Sequence, residues 1–161
     1  MYTYEETVSF HPAVQILYLG GVGLAVWGQL TAAPSMPWIP VLVCVFLIGL
    51  PLMFGRLLIR IDASQVLTAE FGYLGWPIQR IPLANITRAS VISYRPIRQF
   101  GGWGIRAGRL DGEQTSVYTV RGTSGVLLEL SHEQRISGWR TKRFLLGTAE
   151  PERLVVAIGK P

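Results

Sequence analysis

Charge is missing from a large part of this sequence. No Asp, Glu, Lys or Arg occurs between Thr7 and Gly55, a stretch of 49 residues. An ordinary solvent-exposed domain has charged residues spread over its surface, so this stretch argues against such a domain in the N-terminal third of the chain. The charges lie elsewhere: residues 56–161 contain all 15 Lys and Arg and eight of the 10 acidic residues.

Cysteine, histidine and catalytic motifs are also scarce. Cys44 is the only cysteine, so no intrachain disulfide can form. His11 and His132 have no Cys or carboxylate cluster at ligand spacing, so we predict no metal site. The chain has no G-x-S-x-G, P-loop or H-E-x-x-H motif, and residues 101–104 lack the strand–helix context of a dinucleotide loop. We therefore predict a protein that is not an enzyme and has no cofactor.

The longest apolar run covers residues 38–55 and is followed by Arg56 and Arg60. A run of this length meets the criterion for a membrane-spanning helix, because about 20 residues rising 1.5 Å each cross the hydrocarbon core of a bilayer. We predict that this run is part of a membrane span over about residues 38–59.

A second apolar stretch, at residues 13–32, predicts another span. The short, uncharged residues 31–37 contain two prolines and predict a tight connection between two antiparallel helices. This connection has no Lys or Arg, whereas two arginines follow the second span. The positive-inside rule then places both termini in the cytoplasm. Residues 1–60 are predicted to be the N-terminal segment and this hairpin.

Residues 61–161 are predicted to form a separate cytoplasmic domain. Runs typical of strands are separated by segments of turn composition. The clearest of these runs are 57–61, 66–71, 78–83, 116–120 and 126–130. Residues 148–158 predict one short amphipathic helix, with Thr148 as its N-cap. About seven short strands and a C-terminal helix predict an α+β protein with a small antiparallel β-barrel or sandwich.

Four segments of this domain carry a family resemblance. They are IQRIPLANI at 78–86, FGGWGIR at 100–106, YTVRGTSGVLLEL at 118–130 and GTAEPERLVVAI at 147–158. With them, the chain resembles bacterial membrane proteins that have a pleckstrin-homology-like domain behind two transmembrane helices. The resemblance implies a seven-stranded bent barrel closed by the C-terminal helix, no enzymatic activity and a location in the bacterial inner membrane. The hairpin at 131–142 is longer than is usual in that family.

Two clusters of basic and aromatic residues are the candidate binding sites. The first cluster is Arg95, Arg98, Phe100, Trp103 and Arg106. The second cluster is Arg135, Trp139, Arg140, Lys142 and Arg143. Arginines close to a membrane attract anionic headgroups, so each cluster is a candidate lipid or partner contact. The structural alternative is a packed Trp103 with solvated or ion-paired arginines in the first cluster and a solvated loop in the second.

These features favour a non-enzymatic, membrane-anchored interaction module. It is expected to bind or scaffold another membrane protein, or to assemble with itself. The alternative is a sensor of anionic lipid headgroups that uses the basic and aromatic loops. A nucleic-acid partner is not expected, because residues 98–101 fail the full pattern of an RNA-binding aromatic strand.

Overall fold

A computed structural model describes residues 2–10, 12–31 and 39–159. The strands are β1 (Tyr2–Ser9), β2 (Arg56–Asp62), β3 (Val66–Phe71), β4 (Ile78–Pro82), β5 (Ile86–Ser93), β6 (Gly104–Leu110), β7 (Glu113–Thr119), β8 (Ser124–Ile136) and β9 (Trp139–Gly147). The helices are α1 (Pro12–Thr31), α2 (Ile39–Phe54), α3 (Pro96–Phe100) and α4 (Pro151–Ile158), with a 3-10 turn at Leu83–Asn85. Apart from Thr31, the predicted connection at 31–37 lies outside the described residues.

The described strands form two separate sheets. The first has the order β1-β2-β3-β4 and is antiparallel throughout; the second has the order β5-β8-β9-β7-β6. In the second sheet β7 and β9 are parallel, and the other neighbours are antiparallel. The predicted closed barrel of about seven strands is therefore wrong. Among the described residues no ladder joins the two sheets.

The predicted membrane spans are also wrong. Within residues 2–10, 12–31 and 39–159, no helix combines the length and the apolar character that crossing a membrane requires. α2 has 16 residues and rises about 24 Å, less than the roughly 30 Å of a hydrocarbon core.

Residues 56–59, which the sequence assigned to the end of the second span, belong to β2. Leu57, Leu58 and Ile59 are almost fully buried in the β domain, by which we mean the two sheets with α3 and α4. The resemblance to two-span proteins with a pleckstrin-homology-like domain is therefore overturned. Because no described helix can cross a membrane, the predicted multi-pass location in the inner membrane, with both termini in the cytoplasm, is overturned as well. The domain boundary that the sequence predicts at residue 60 stays a prediction. β2 continues across this position to Asp62.

The main core lies between the two sheets. Alternating residues of β2 and β3 point inward, and they meet the inward side chains of the second sheet. Three aromatic rings form its centre: Phe71 packs edge-on against Tyr118 at 5.6 Å, and Tyr118 packs edge-on against Phe144 at 5.0 Å. α4 covers this core with Leu154 and Ile158, as its amphipathic sequence predicts.

The opposite face of the second sheet has its own smaller core. Val117, Leu127 and Leu145 point to this side, where Tyr94 and Phe100 cover them. Phe100 is the last residue of α3, so this short helix covers the face of the second sheet that points away from the main core. The second sheet therefore packs against apolar residues on both of its faces.

Candidate functional site

The outward face of α2 is apolar and exposed. Val41, Val45, Ile48 and Leu52 follow one another at intervals of four, three and four residues, and their exposed fractions lie between 40% and 63%. This spacing places the four side chains in one row along the helix, as in the seam of a coiled coil. Leu42 and Phe46 extend the row sideways, and both are also exposed.

α1 presents a similar face. Ile16, Leu19, Leu24 and Trp27 lie on one side of this helix, and each is at least 67% exposed. We call these four side chains and the six of α2 the hairpin surface. The sequence between Thr7 and Gly55 contains no charged residue, so the hairpin surface has no ionised group of its own.

The glycines of α1 leave this surface open. A methyl group added at Gly20, Gly21, Gly23 or Gly28 would meet no other atom within 4 Å. α1 and α2 contact each other only sparsely. Among the described atoms, these glycines therefore make no close contact with α2. They leave bare backbone beside exposed apolar side chains, where another helix could approach closely.

A groove of about 760 Å³ lies at the base of the hairpin, where it meets the β domain. α1 contributes Tyr18, Leu19 and Val22 to its lining, and α2 contributes Ile48 and Leu52. The β domain contributes mainly Tyr73 and residues 103–106 around the start of β6. We call this space the basal groove. Its volume falls within the range of small-molecule sites, about 300–1,000 Å³.

The basal groove has few polar groups. Arg106 is the one charged residue among those that line it, and none of the described carboxylates pairs with its guanidinium. The Tyr18 hydroxyl is shielded from solvent and has no hydrogen-bond partner among the described atoms. The Trp103 indole N–H is occupied, because it donates to the carbonyl of Gly122 at 3.3 Å.

The structure divides the first predicted cluster between two places. Arg95 and Arg98 are exposed around α3, where the Gln99 side chain accepts a hydrogen bond from the Arg95 N–H at 2.6 Å. Phe100 is buried, with its ring 6.2 Å from that of Tyr94. Trp103 and Arg106 instead line the basal groove. Only these last two residues of the cluster share a site.

The second predicted cluster is divided by strand alternation. Arg135 lies directly opposite Arg140 in the β8–β9 ladder, so the two side chains leave the sheet on the same face. Lys142 points to that face as well, two residues further along β9. Trp139 points to the other face, opposite Ile136. The three cations are exposed, and no described ion pair involves them.

Arg143, the last member of the second cluster, is largely buried. Its guanidinium donates to the Leu110 carbonyl at 2.8 Å and lies within 3.7 Å of Asp111 and 3.4 Å of Glu113. The β6–β7 turn is thereby tied to β9. In this position Arg143 serves the interior of the fold, which neither a lipid or partner contact nor a solvated loop predicts.

No catalytic arrangement is evident in the described part of the chain. His132 is exposed, and its ring nitrogen Nδ1 is 3.0 Å from Oγ of the adjacent Ser131. Among the described residues, His132 makes no contact with a carboxylate that could orient the ring. No group of three or more His, Cys, Asp or Glu residues could hold a metal ion in this part of the chain.

Sequence reasoning missed the basal groove. Its lining residues come from positions as far apart as Phe10 and Arg106, and they come together only in the folded chain. The one available signal was the FGGWGIR segment, whose Trp103, Ile105 and Arg106 line the groove. No protein-family model, curated protein or solved structure matches this chain.

Proposed function

We propose that this chain is a non-enzymatic interaction module that assembles with a second copy of itself through the hairpin surface. One observation carries the proposal: ten large apolar side chains are exposed on two adjoining helices that have no charge. Monomeric proteins rarely expose contiguous apolar patches larger than a few hundred Å², and larger patches mark interaction sites.

A second copy fits this surface for two reasons. A two-fold interface brings the same patch of both chains together, so the patch must be complementary to itself. An uncharged apolar surface meets that condition, whereas a charged patch would repel its own copy. In addition, Val41, Val45, Ile48 and Leu52 have the spacing with which helices interlock in pairs.

The magnitudes favour an interface made by both helices. Fully burying one exposed Val, Leu, Ile or Phe side chain contributes roughly 1.5–3 kcal/mol. Association costs about 4–15 kcal/mol in lost translational and rotational freedom. The α2 rows of two copies present eight side chains that are each about half exposed, so their burial contributes roughly 6–12 kcal/mol. This amount only offsets the cost of association, and the α1 face is needed for a stable assembly. Gly20 and Gly23 favour it, because they let a second helix approach α1 closely.

The proposal is tested by sedimentation of the full chain over a range of concentrations. The wild-type chain is expected to form a discrete dimer or small oligomer. V45K places a charge in the middle of the interface and should raise the dissociation constant at least tenfold. V156K is the matched control, because Val156 is a 79% exposed helical valine on α4. A wild-type monomer at all concentrations, or equal effects of V45K and V156K, would refute the proposal.

A second candidate function is binding of anionic lipid headgroups at the end of the β8–β9 hairpin. It is favoured by Arg135, Arg140 and Lys142, three exposed cations on one face of the ladder without acidic partners. Vesicles with and without phosphatidylglycerol separate this function from apolar adsorption. Binding should require the anionic lipid, fall with salt and weaken in R135Q, but not in R121Q, which alters an exposed turn. Salt-independent binding would exclude this function.

A further inference from the structure

We propose that the basal groove binds a fatty-acid-like ligand, a carboxylate with an unbranched alkyl chain. This binding goes beyond the proposed self-assembly, because Tyr18 and Arg106 of the groove do not belong to the hairpin surface. The two sites share Leu19, Ile48 and Leu52. Val41, Val45 and Trp27 of the hairpin surface do not line it. Its volume of about 760 Å³ suits a small molecule rather than a protein segment.

The apolar lining specifies the alkyl chain. Leu19, Val22, Ile48 and Leu52 form the helical wall of the groove, and Ile105 faces them from the β domain. Leu19, Ile48 and Leu52 remain 40–67% exposed to solvent. An alkyl chain in contact with these residues removes apolar surface from water on both sides, which is the main source of affinity in such sites.

The polar groups specify the head of the ligand. Arg106 supplies a guanidinium without an ion-pair partner among the described residues, and a guanidinium binds a carboxylate through two parallel hydrogen bonds. Tyr18 supplies a second unpartnered donor, its shielded hydroxyl. The groove lining contains no acidic residue to attract a cation.

This charge pattern also discriminates among other amphiphiles. A neutral alcohol of the same length gains the apolar contacts but forms no ion pair with Arg106. An alkylammonium ion meets a like charge at the same place. A polar metabolite with several hydrogen-bonding groups finds too few partners in the groove. We therefore expect the order of affinity carboxylate, alcohol, ammonium at constant chain length.

The test is titration of the full-length chain with decanoate, 1-decanol and decyltrimethylammonium, followed by tryptophan fluorescence, since Trp103 lines the groove. R106Q should weaken decanoate binding about tenfold or more and leave decanol binding unchanged. R109Q is the matched control, because Arg109 is an exposed arginine on the same strand and lies outside the groove lining. It should bind decanoate like the wild type.

V22W should fill the groove and abolish binding of all three compounds. Equal affinities of R106Q and the wild type for decanoate would overturn the proposal, as would equal affinities for decanoate and decyltrimethylammonium. Arg106 is exposed, so R106Q decides the question even if V22W does not fold. V45K separates this site from the proposed self-assembly: it should lose assembly and keep decanoate binding.

Discussion

The Thr148 hydroxyl donates a hydrogen bond to Oε2 of Glu6, across 142 positions of sequence. The same carboxylate accepts the Ala149 N–H at 2.8 Å and the Tyr4 hydroxyl at 2.7 Å. β1 is an edge strand, and this contact fastens it to the segment that leads into α4. Glu6 thus joins the first strand of the chain to its last helix.

Removing this carboxylate should destabilise the fold. E6A leaves the Thr148 and Ala149 donors without their acceptor, so we expect the free energy of unfolding to fall by about 1.5–3 kcal/mol. E5A is the matched control, because Glu5 makes one exposed ion pair with Arg60 at 3.3 Å, and its loss should cost less than about 1 kcal/mol.

The pairing itself can be isolated with a double-mutant cycle of E6A and T148A in chemical denaturation. A coupling energy of about 0.5–3 kcal/mol is expected for groups in direct contact. Strict additivity, or equal losses for E6A and E5A, would show that the contact does not hold β1 in place.

Gly72 directly follows β3, packs against the end of α2 and should not tolerate a side chain. Its φ is +76°, and an added Cβ would lie 2.3 Å from the carbonyl oxygen of Met53. The Met53 oxygen is a backbone atom, so it cannot rotate away as a side chain could. The N–H groups of Gly72 and Tyr73 donate hydrogen bonds to the carbonyl oxygens of Arg56 and Leu52, each at 2.7 Å. We expect G72A to lower the free energy of unfolding by about 3 kcal/mol or more.

G112A separates the clash from the backbone conformation. Gly112 also has a positive φ, +84°, but an added Cβ there meets nothing within 4 Å. Only the left-handed conformation is penalised, at about 1–2 kcal/mol. Similar unfolding energies for the two variants would mean that the end of α2 can move away from Gly72.

Tyr94 should make the fold sensitive to alkaline pH. Burial raises the pKa of Tyr94 to about 12, compared with about 10 in an unfolded chain. Between these two values the unfolded chain loses the phenolic proton and the folded chain keeps it, so stability falls as the pH rises. Y94F should reduce this fall when unfolding is followed from pH 8 to pH 12.

The same variant has a defined outcome at neutral pH. The buried Tyr94 hydroxyl forms no well-aligned hydrogen bond among the described atoms, although the nearby Thr119 side chain partly offsets the rise in its pKa. Its removal should therefore leave the stability at pH 7 unchanged or higher. A loss of more than about 1 kcal/mol at pH 7 would reveal a hydrogen bond at this hydroxyl. If Y94F lost as much stability as the wild type between pH 8 and pH 12, the pKa of Tyr94 would not be raised in the folded chain.

Arg135 and Arg140 face each other across the β8–β9 ladder and should repel. R140E converts the pair into opposite charges and should raise the free energy of unfolding by about 0.2–1 kcal/mol. R121E alters a turn arginine and should have little effect. A thermal midpoint that falls in R140E, but not in R121E, would show that Arg140 has a stabilising partner instead.

Local patterns predicted much of the β domain. The runs at 57–61, 66–71 and 78–83 correspond to β2, β3 and β4. β3 alternates between buried and partly exposed positions, whereas β2 buries Leu57, Leu58 and Ile59 in succession. The C-terminal helix was also predicted, although it starts at Pro151 rather than next to Thr148. Thr148 instead accepts the Glu150 N–H in a turn and donates to Glu6.

The failures have a common cause, which is dependence on distant partners. β1 has a polar sequence and becomes a strand only by pairing with β2, so that Tyr2 lies opposite Asp62. An uninterrupted apolar run does not show where a helix ends and a buried strand begins, and the expected span therefore extended into β2. Likewise, the acids that pair with Arg143 are about thirty residues away in sequence.

The hairpin leaves and rejoins the β domain at a single point. Ser9 pairs with Arg56 at the end of the β1–β2 ladder, and the Phe10 N–H donates to the Gly55 carbonyl at 3.2 Å. In topology, α1 and α2 are therefore an enlarged turn between two adjacent strands. Each doubling of such a connection costs only about 0.6 kcal/mol in loop-closure entropy. Hairpins of other lengths could be exchanged at this junction, or a two-residue turn inserted, while the strands keep their register.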